Sequence, residues 1–294
     1  MRLTENMKGA LLMCASMAGF AFNDAAIKYA SAPIGIYQSI FIRGMFAVIF
    51  IGVAVWLSKA YLHLPTRADW RLIFWRTIAE IGATICFLVA LFNMPIANIT
   101  AILQALPLTV TLAAAVFLGE AIGTRRLVAI LVGLVGVMLI IQPGTEGFNS
   151  YSILGILATL FVTWRDIIVR RFSKELPTVL VAFITAVSIM IMGLVMTLAY
   201  EGWTPAGVQT YLLLAFAGLM IFGGYFFAVA TMRHGEIGFV TPFRYTIMIW
   251  AILLGYFVFG DVPNNMVLAG VAIVILMGLY TFWRERRLTR KQAA

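Results

Sequence analysis

Ten apolar stretches fill this chain almost end to end, and each is long enough to cross a hydrocarbon core, which takes about 17–25 residues in helical form. They run roughly over 7–29, 34–57, 71–93, 96–118, 124–142, 150–171, 176–200, 207–232, 237–259 and 263–283. In lipid a spanning segment must satisfy its own N–H and C=O groups, so such stretches become helices. The expected fold is therefore an all-α polytopic membrane protein with ten transmembrane helices. Composition agrees: charged residues are 11% of the chain, against about 25% in a soluble domain. The short connections exclude a soluble catalytic domain. Cys14 and Cys86 both lie in apolar segments, where thiols act as packing groups. The first segment lacks a cleavage site and continues into Asn23-Asp24, which makes it a retained span and not a removed signal peptide.

Lysine and arginine in the loops set orientation. With the N-terminus in the cytoplasm, the inner side receives Arg2, Lys8, Lys59, Arg67, Arg71, Arg125, Arg126, Arg170, Arg171, Lys174, Arg233 and the tail from Arg284 to Lys291. The outer loops hold Glu146, Glu201 and Asp261, and at most Lys28. Both termini are thus expected in the cytoplasm, with the chain in a bacterial inner membrane. The net charge of +9 is then a topology signal facing anionic membrane lipid and implies no nucleic-acid partner.

The segment Ile237–Asp261 has a counterpart 141 positions earlier, Ile96–Glu120. Thr100 falls under Thr241, and Gly119-Glu120 under Gly260-Asp261. The correspondence is clearest from Gly82/Gly223 to Leu127/Leu268; nearer the front it drifts by one residue, pairing Asp24 with Asp166 and Lys28 with Arg170. Two units follow, residues 1–145 and 146–294. Five spans per unit is an odd number, so the second unit enters from the opposite side. Inverted-topology repeats of this kind mark secondary transporters.

The run Ala90–Gly144, with Leu118-Gly119-Glu120 closing one helix and Gly133 and Gly136 in the next, resembles the EamA repeat of the drug/metabolite transporter superfamily. The second copy closes on Phe259-Gly260-Asp261 instead. Phe41-Ile42-Arg43 resembles the family's arginine early in the second helix; the second half lacks it around Ser188. The phrase Thr241–Thr246, TPFRYT, resembles a bacterial subgroup of metabolite transporters. The resemblance implies helices 1–4 and 6–9 around a central cavity. Helices 5 and 10 would lie outside, leaving the chain a monomer or a homodimer through them.

Seven ionisable residues lie well inside spans: Arg43, Arg76, Arg165, Arg244, Asp24, Glu80 and Asp166. An arginine at mid-helix costs about 2.5–3.5 kcal/mol on insertion scales, so intramembrane charges are functional candidates by default. Arg43 and Arg244 have no acid within four residues, so a partner must come from another helix or from substrate; Glu80 is the first interhelical candidate for Arg244. A guanidinium fork suits carboxylate or phosphate. Tyr37, Gln38 and Tyr245 flank these arginines, and Gln104, Trp164, Arg165 and Tyr225 complete the expected substrate-binding set. Arg165 and Asp166 are adjacent, about 100° apart on a helix, which predicts different faces. Asp24 and Lys28 stand at i,i+4, a simple pair unless Asp24 lines a vestibule; Arg76 and Glu80 have the same spacing. Asp24, Glu80 and Asp166 are the candidates for proton coupling or gating. Pro107 and Pro242 each remove a helix hydrogen bond on matching helices, the candidate hinges. Aromatic Tyr225-Phe226-Phe227 is either a wall for a flat substrate or packing.

Both histidines, His63 and His234, fall in loops, and no HExxH, CxxC, GxSxG or Walker-type motif occurs; no catalytic site, metal or cofactor is expected. The reading is a secondary active transporter of a small organic metabolite working by alternating access, coupled to a proton or another ion or driven by the substrate gradient. Four internal bases against three acids favour an anionic or zwitterionic substrate. The rival is a proton-coupled exporter of amphipathic drugs on the same fold. A lipid-modifying enzyme would need a catalytic cluster at a membrane face, and a structural subunit would not retain costly internal charges. Reporter fusions placed after Lys291 and within residues 146–149 are expected to report opposite sides of the membrane.

Overall fold

The structure, a computed structural model, describes residues 5–62, 65–119, 123–144, 148–169, 171–173, 175–231 and 237–293. His63, Glu120, Glu146, Arg170, Lys174, Arg233 and His234 lie outside the described residues. The described residues form ten helices: α1 Glu5–Ser31, α2 Ile36–Leu57, α3 Arg67–Asn93, α4 Ile96–Leu118, α5 Thr124–Ile141, α6 Ser152–Val169, α7 Thr178–Glu201, α8 Val208–Thr231, α9 Thr241–Phe259 and α10 Asn265–Ala293. All but α5 and α10 are apolar over a full membrane thickness; those two hold shorter apolar runs, Leu127–Ile141 and Asn265–Thr281. Large side chains exposed on the bundle, such as Phe117, Val135, Leu198 and Phe257, are apolar, as a lipid-facing surface requires.

Helix α3 starts at Arg67, four residues before the apolar run. A capping box explains the extension: Thr66 Oγ1 accepts from the Asp69 N–H, and Asp69 Oδ2 accepts from the Thr66 N–H. Polar cap chemistry adds a turn that hydropathy does not register.

The most extensive helix contacts are α1 with α8, α2 with α7, α3 with α6 and α5 with α10; α4 packs on α9. Exchanging the two halves carries α1·α8 into α6·α3 and returns each of the other pairs to itself. This closed set is what a pseudo-two-fold axis in the membrane plane produces. At the α5–α10 crossing the backbones nearly touch: a Cβ on Gly270 would lie 2.6 Å from the Gly136 carbonyl oxygen. Small residues permit such approach in lipid, where packing must hold helices together without a hydrophobic drive. The glycine faces of α5 and α10 therefore meet inside the chain.

Two of the central helices are not continuous. Helix α4 breaks at Gln104-Ala105 and restarts at Leu106, beside Pro107. Helix α9 opens as a 3₁₀ segment, Thr241–Thr246, containing Pro242, and follows a short turn Ile237–Val240. Moved back 141 positions, that segment covers residues 100–105, so the two breaks occupy equivalent places.

One end of the bundle is tied across the halves. The Glu201 carboxylate, at the end of α7, accepts from the N–H groups of Ile36, Tyr37 and Gln38 at the start of α2, at 2.8–3.2 Å. Gly35 adopts φ 82°, and a Cβ there would strike that carboxylate at 2.7 Å. Gln38 then donates to the Thr204 carbonyl and accepts from the Thr204 N–H. An anionic cap on otherwise orphan N–H groups is worth about 0.5–2 kcal/mol. Glu201→Ala is therefore expected to lower the melting temperature of the purified protein, with Glu201→Gln intermediate; a thermal melt in detergent measures both.

Candidate substrate cavity and its charged flanks

The broken helices enclose a cavity of about 140 Å³. Its walls are Met17, Phe20 and Asp24 from α1, Phe87 from α3, Thr100, Leu103, Gln104, Leu106 and Pro107 from α4, and Thr241, Arg244, Tyr245 and Ile247 from α9. Four wall pairs are repeat equivalents at the offset of 141: Thr100 with Thr241, Leu103 with Arg244, Gln104 with Tyr245, and Leu106 with Ile247. The cavity is thus built twice from one pattern; among these pairs charge enters only in the second copy, through Arg244, and Asp24 on α1 adds a carboxyl. Small-molecule sites commonly measure about 300–1,000 Å³, so this cavity is smaller than most.

Arg244 is exposed to the cavity, and among the described residues no carboxylate pairs with it. Asp24 provides the opposite charge. Its Oδ1 accepts from Asn23 Nδ2 at 2.9 Å, and Asn23 Oδ1 in turn accepts from Arg43 Nη1 at 3.3 Å. Arg43 is 8% exposed and Asn23 2%. Arg43 thus acts on the cavity through Asn23 and the neighbouring carboxylate and does not line the wall. Gln104 donates to the Thr100 carbonyl at 3.2 Å, satisfying an acceptor near the break.

A second charged cluster joins the halves. Arg165 on α6 donates to both Glu80 oxygens at 3.1 Å and to Asp166 Oδ1 at 2.9 Å. Arg76, one turn before Glu80, reaches that carboxylate at 3.8 Å and donates to Thr185 Oγ1 on α7. Asp69 accepts from Ser173 Oγ at 3.3 Å nearer the helix ends. Tyr225 on α8 stands within electrostatic reach of Glu80, Arg165, Arg76 and Arg43, and packs edge-on against Phe20, with centroids 5.1 Å apart. Tyr225 therefore lies between the two charged groups.

Several expectations change. Glu80 takes Arg165 and Arg76, not Arg244, as partners. Arg165 and Asp166 bond to each other, because the long guanidino arm folds back across the 100° that separates their Cα–Cβ directions. Lys28 does not pair with Asp24; its ammonium donates to the Met94 carbonyl at 2.6 Å and sits 5.0 Å from the Phe259 ring centre. Gln38, fully buried, is committed to Thr204, and Tyr37 contributes its N–H to Glu201; neither lines the cavity. Trp164 faces outward, 39% exposed, against Trp75 and Phe161. The Tyr245 ring lines the cavity, but its hydroxyl is buried against Gly278 of α10 without a hydrogen-bond partner. Residues outside the expected set also contribute: Asn23 bridges, Thr185 anchors, and Thr100, Thr241, Met17, Phe20 and Phe87 line the wall. The matched threonines of the repeat were the one signal that pointed to them.

Comparison with known proteins agrees with this architecture. The sequence pattern described as the EamA-like transporter family matches twice, over residues 7–142 and 149–283. The chain is similar to a riboflavin transporter of Vibrio cholerae, at 27% identity over 97% of both chains. It is similar to an S-adenosylmethionine uptake transporter of Rickettsia felis, at 25% identity over 94% of this chain and 93% of the relative. A pseudopaline exporter of Pseudomonas aeruginosa is 23% identical over 90% and 93%. A crystal structure at 16% identity superposes with a TM-score of 0.67 over 95% of this chain and 98% of its own, which demonstrates a shared fold.

Charged groups in direct contact couple by about 0.5–3 kcal/mol. Glu80→Gln and Arg165→Gln are each expected to lower the melting temperature, and the double variant by clearly less than the two losses added; melts of the four proteins measure the coupling.

Proposed function

Since the chain belongs to the EamA-like transporter family, whose named relatives carry metabolites and are not enzymes, we propose that it is a secondary active transporter for a small anionic or zwitterionic metabolite. The observation that carries the substrate class is Arg244, a guanidinium that no carboxylate among the described residues pairs with, facing a cavity that also holds Asp24. Such a cation attracts a carboxylate or phosphate, and the guanidinium fork holds it in two hydrogen bonds. Asp24 would take a cationic group at the other end of a zwitterion. Thr100, Thr241 and Gln104 supply neutral hydrogen bonds, and Met17, Phe20 and Phe87 an apolar wall. A wholly cationic cargo, as the drug-exporter reading requires, would meet repulsion from Arg244.

Alternating access follows from the two-fold arrangement. The breaks beside Pro107 and Pro242 act as hinges, and rocking one half against the other opens the cavity to each side in turn. The Glu80–Arg165 and Arg76–Thr185 bonds join the halves on one flank, and the Glu201 cap joins them on the other, so both must yield during a cycle. Asp24, Glu80 and Asp166 are the groups available to carry a coupling proton. Both termini face the cytoplasm by the lysine and arginine asymmetry. The relatives are named for uptake and for export, so the fold serves either direction.

A charged hydrogen bond is worth about 1.5–3 kcal/mol. Arg244→Ala is expected to weaken binding of an anionic metabolite by about 10- to 150-fold, with Arg244→Lys recovering part of the loss. Binding is read as the ligand-induced rise in melting temperature across a panel of anionic, zwitterionic and cationic metabolites. Unchanged affinity in a stable Arg244→Ala protein would remove the anchor role.

A further inference from the structure

A second concavity shares no lining residue with the first and lies between α5 and α10. It measures about 320 Å³ and is lined by Thr124, Arg125, Val128, Ala129, Val132, Met277 and Tyr280. Its polarity is ordered along the helices. Helix α5 begins at Thr124 and runs inward from the basic side, while α10 runs toward that side. Thr124, Arg125 and Tyr280 therefore share the mouth, and Val128, Val132 and Met277 lie deeper. From Thr124 to Val132 the groove extends about 12 Å at 1.5 Å per residue, from the interface well into one leaflet. Tyr280 and Trp283, with ring centres 6.1 Å apart, mark the level of that interface, where such aromatics concentrate. Arg125 is exposed, and among the described residues no acid pairs with it. The floor is Ala129, 3% exposed, whose small side chain leaves the depression open.

We propose that this groove binds one anionic phospholipid, with its headgroup phosphate on Arg125 and an acyl chain along Val128, Val132 and Met277. The occupant is decided by the charge at one end and the apolar lining at the other, a gradient that a lipid of the basic-side leaflet matches in both sign and direction. The site also touches the transport machinery. Val132 and Met277 neighbour Gly133 and Gly278, and these two glycines receive Leu108 of α4 and Tyr245 of α9. A chain wedged beside them braces the helices that back the broken segments.

The test is native mass spectrometry of the full-length protein released from detergent, titrated with phosphatidylglycerol, with phosphatidylcholine of the same acyl chains, and with glycerol 3-phosphate. One phosphatidylglycerol is expected to remain bound, in preference to phosphatidylcholine, and glycerol 3-phosphate is expected not to compete. A basic residue near an anionic headgroup contributes about 1 kcal/mol, or about fivefold in affinity. Arg125→Gln should weaken phosphatidylglycerol binding by about that factor, and Val128→Trp, which fills the groove, at least as much, while lipid-free melting temperatures stay near that of the parent. Equal retention of both lipids, competition by glycerol 3-phosphate, or unchanged binding in both variants would overturn the site. So would a dimer that Val128→Trp converts to monomer, because the groove would then be covered by a second copy.

Discussion

A charge carried into hydrocarbon needs a partner, and the bundle is arranged around the partners its charges find. Glu80 and Arg165 come from different halves of the chain, and their contact requires α3 to lie against α6. Its pseudo-symmetric counterpart, α1 against α8, has no charged residue on α8 and packs closely instead, with the Ser16 hydroxyl donating to the Gly224 carbonyl at 2.7 Å. Arg43 is buried beside Asn23 and Asp24, which holds α2 against α1. Once these groups are satisfied, Arg244 is left facing the cavity, and the proposed function grows from that remaining charge.

The two halves share a pattern but differ in charge, and the difference gives the molecule its sides. Asp24 and Asp166 are equivalent by the repeat, yet Asp24 has an amide neighbour while Asp166 is held directly by Arg165. Leu103 and Arg244 stand at equivalent wall positions, one apolar and one cationic. Glu201 caps the N-terminus of α2, whereas the equivalent place in the first half, moved back by 142, is Lys59, whose charge would oppose the N-terminal N–H groups of a helix. A symmetric backbone can exchange two conformations of similar energy, and unlike side chains decide which contacts hold each one closed.

The broken helices connect packing to function. Breaks beside Pro107 and at the Pro242 segment interrupt the matched helices α4 and α9, which leaves backbone polar groups facing a cavity, where they can be satisfied, and not lipid, where they cannot. Behind them α5 and α10 meet through Gly136 and Gly270 and receive Leu108 and Tyr245 in glycine notches. The outer pair of helices in this way backs the broken segments.

Span count, the inverted repeat and the identity of the internal charges were determined by the sequence alone, because hydrophobic length and charge cost in lipid act on each segment separately. Arg244 and Asp24, which line the cavity, were legible as candidates for the same reason. Which charge meets which was decided only by the tertiary structure. Glu80 joins Arg165 and not Arg244, Lys28 leaves Asp24 for a carbonyl, and Gln38 closes on Thr204. Each outcome depends on the distance between helices remote in sequence and on the reach of a flexible side chain, and neither quantity is encoded in local pattern.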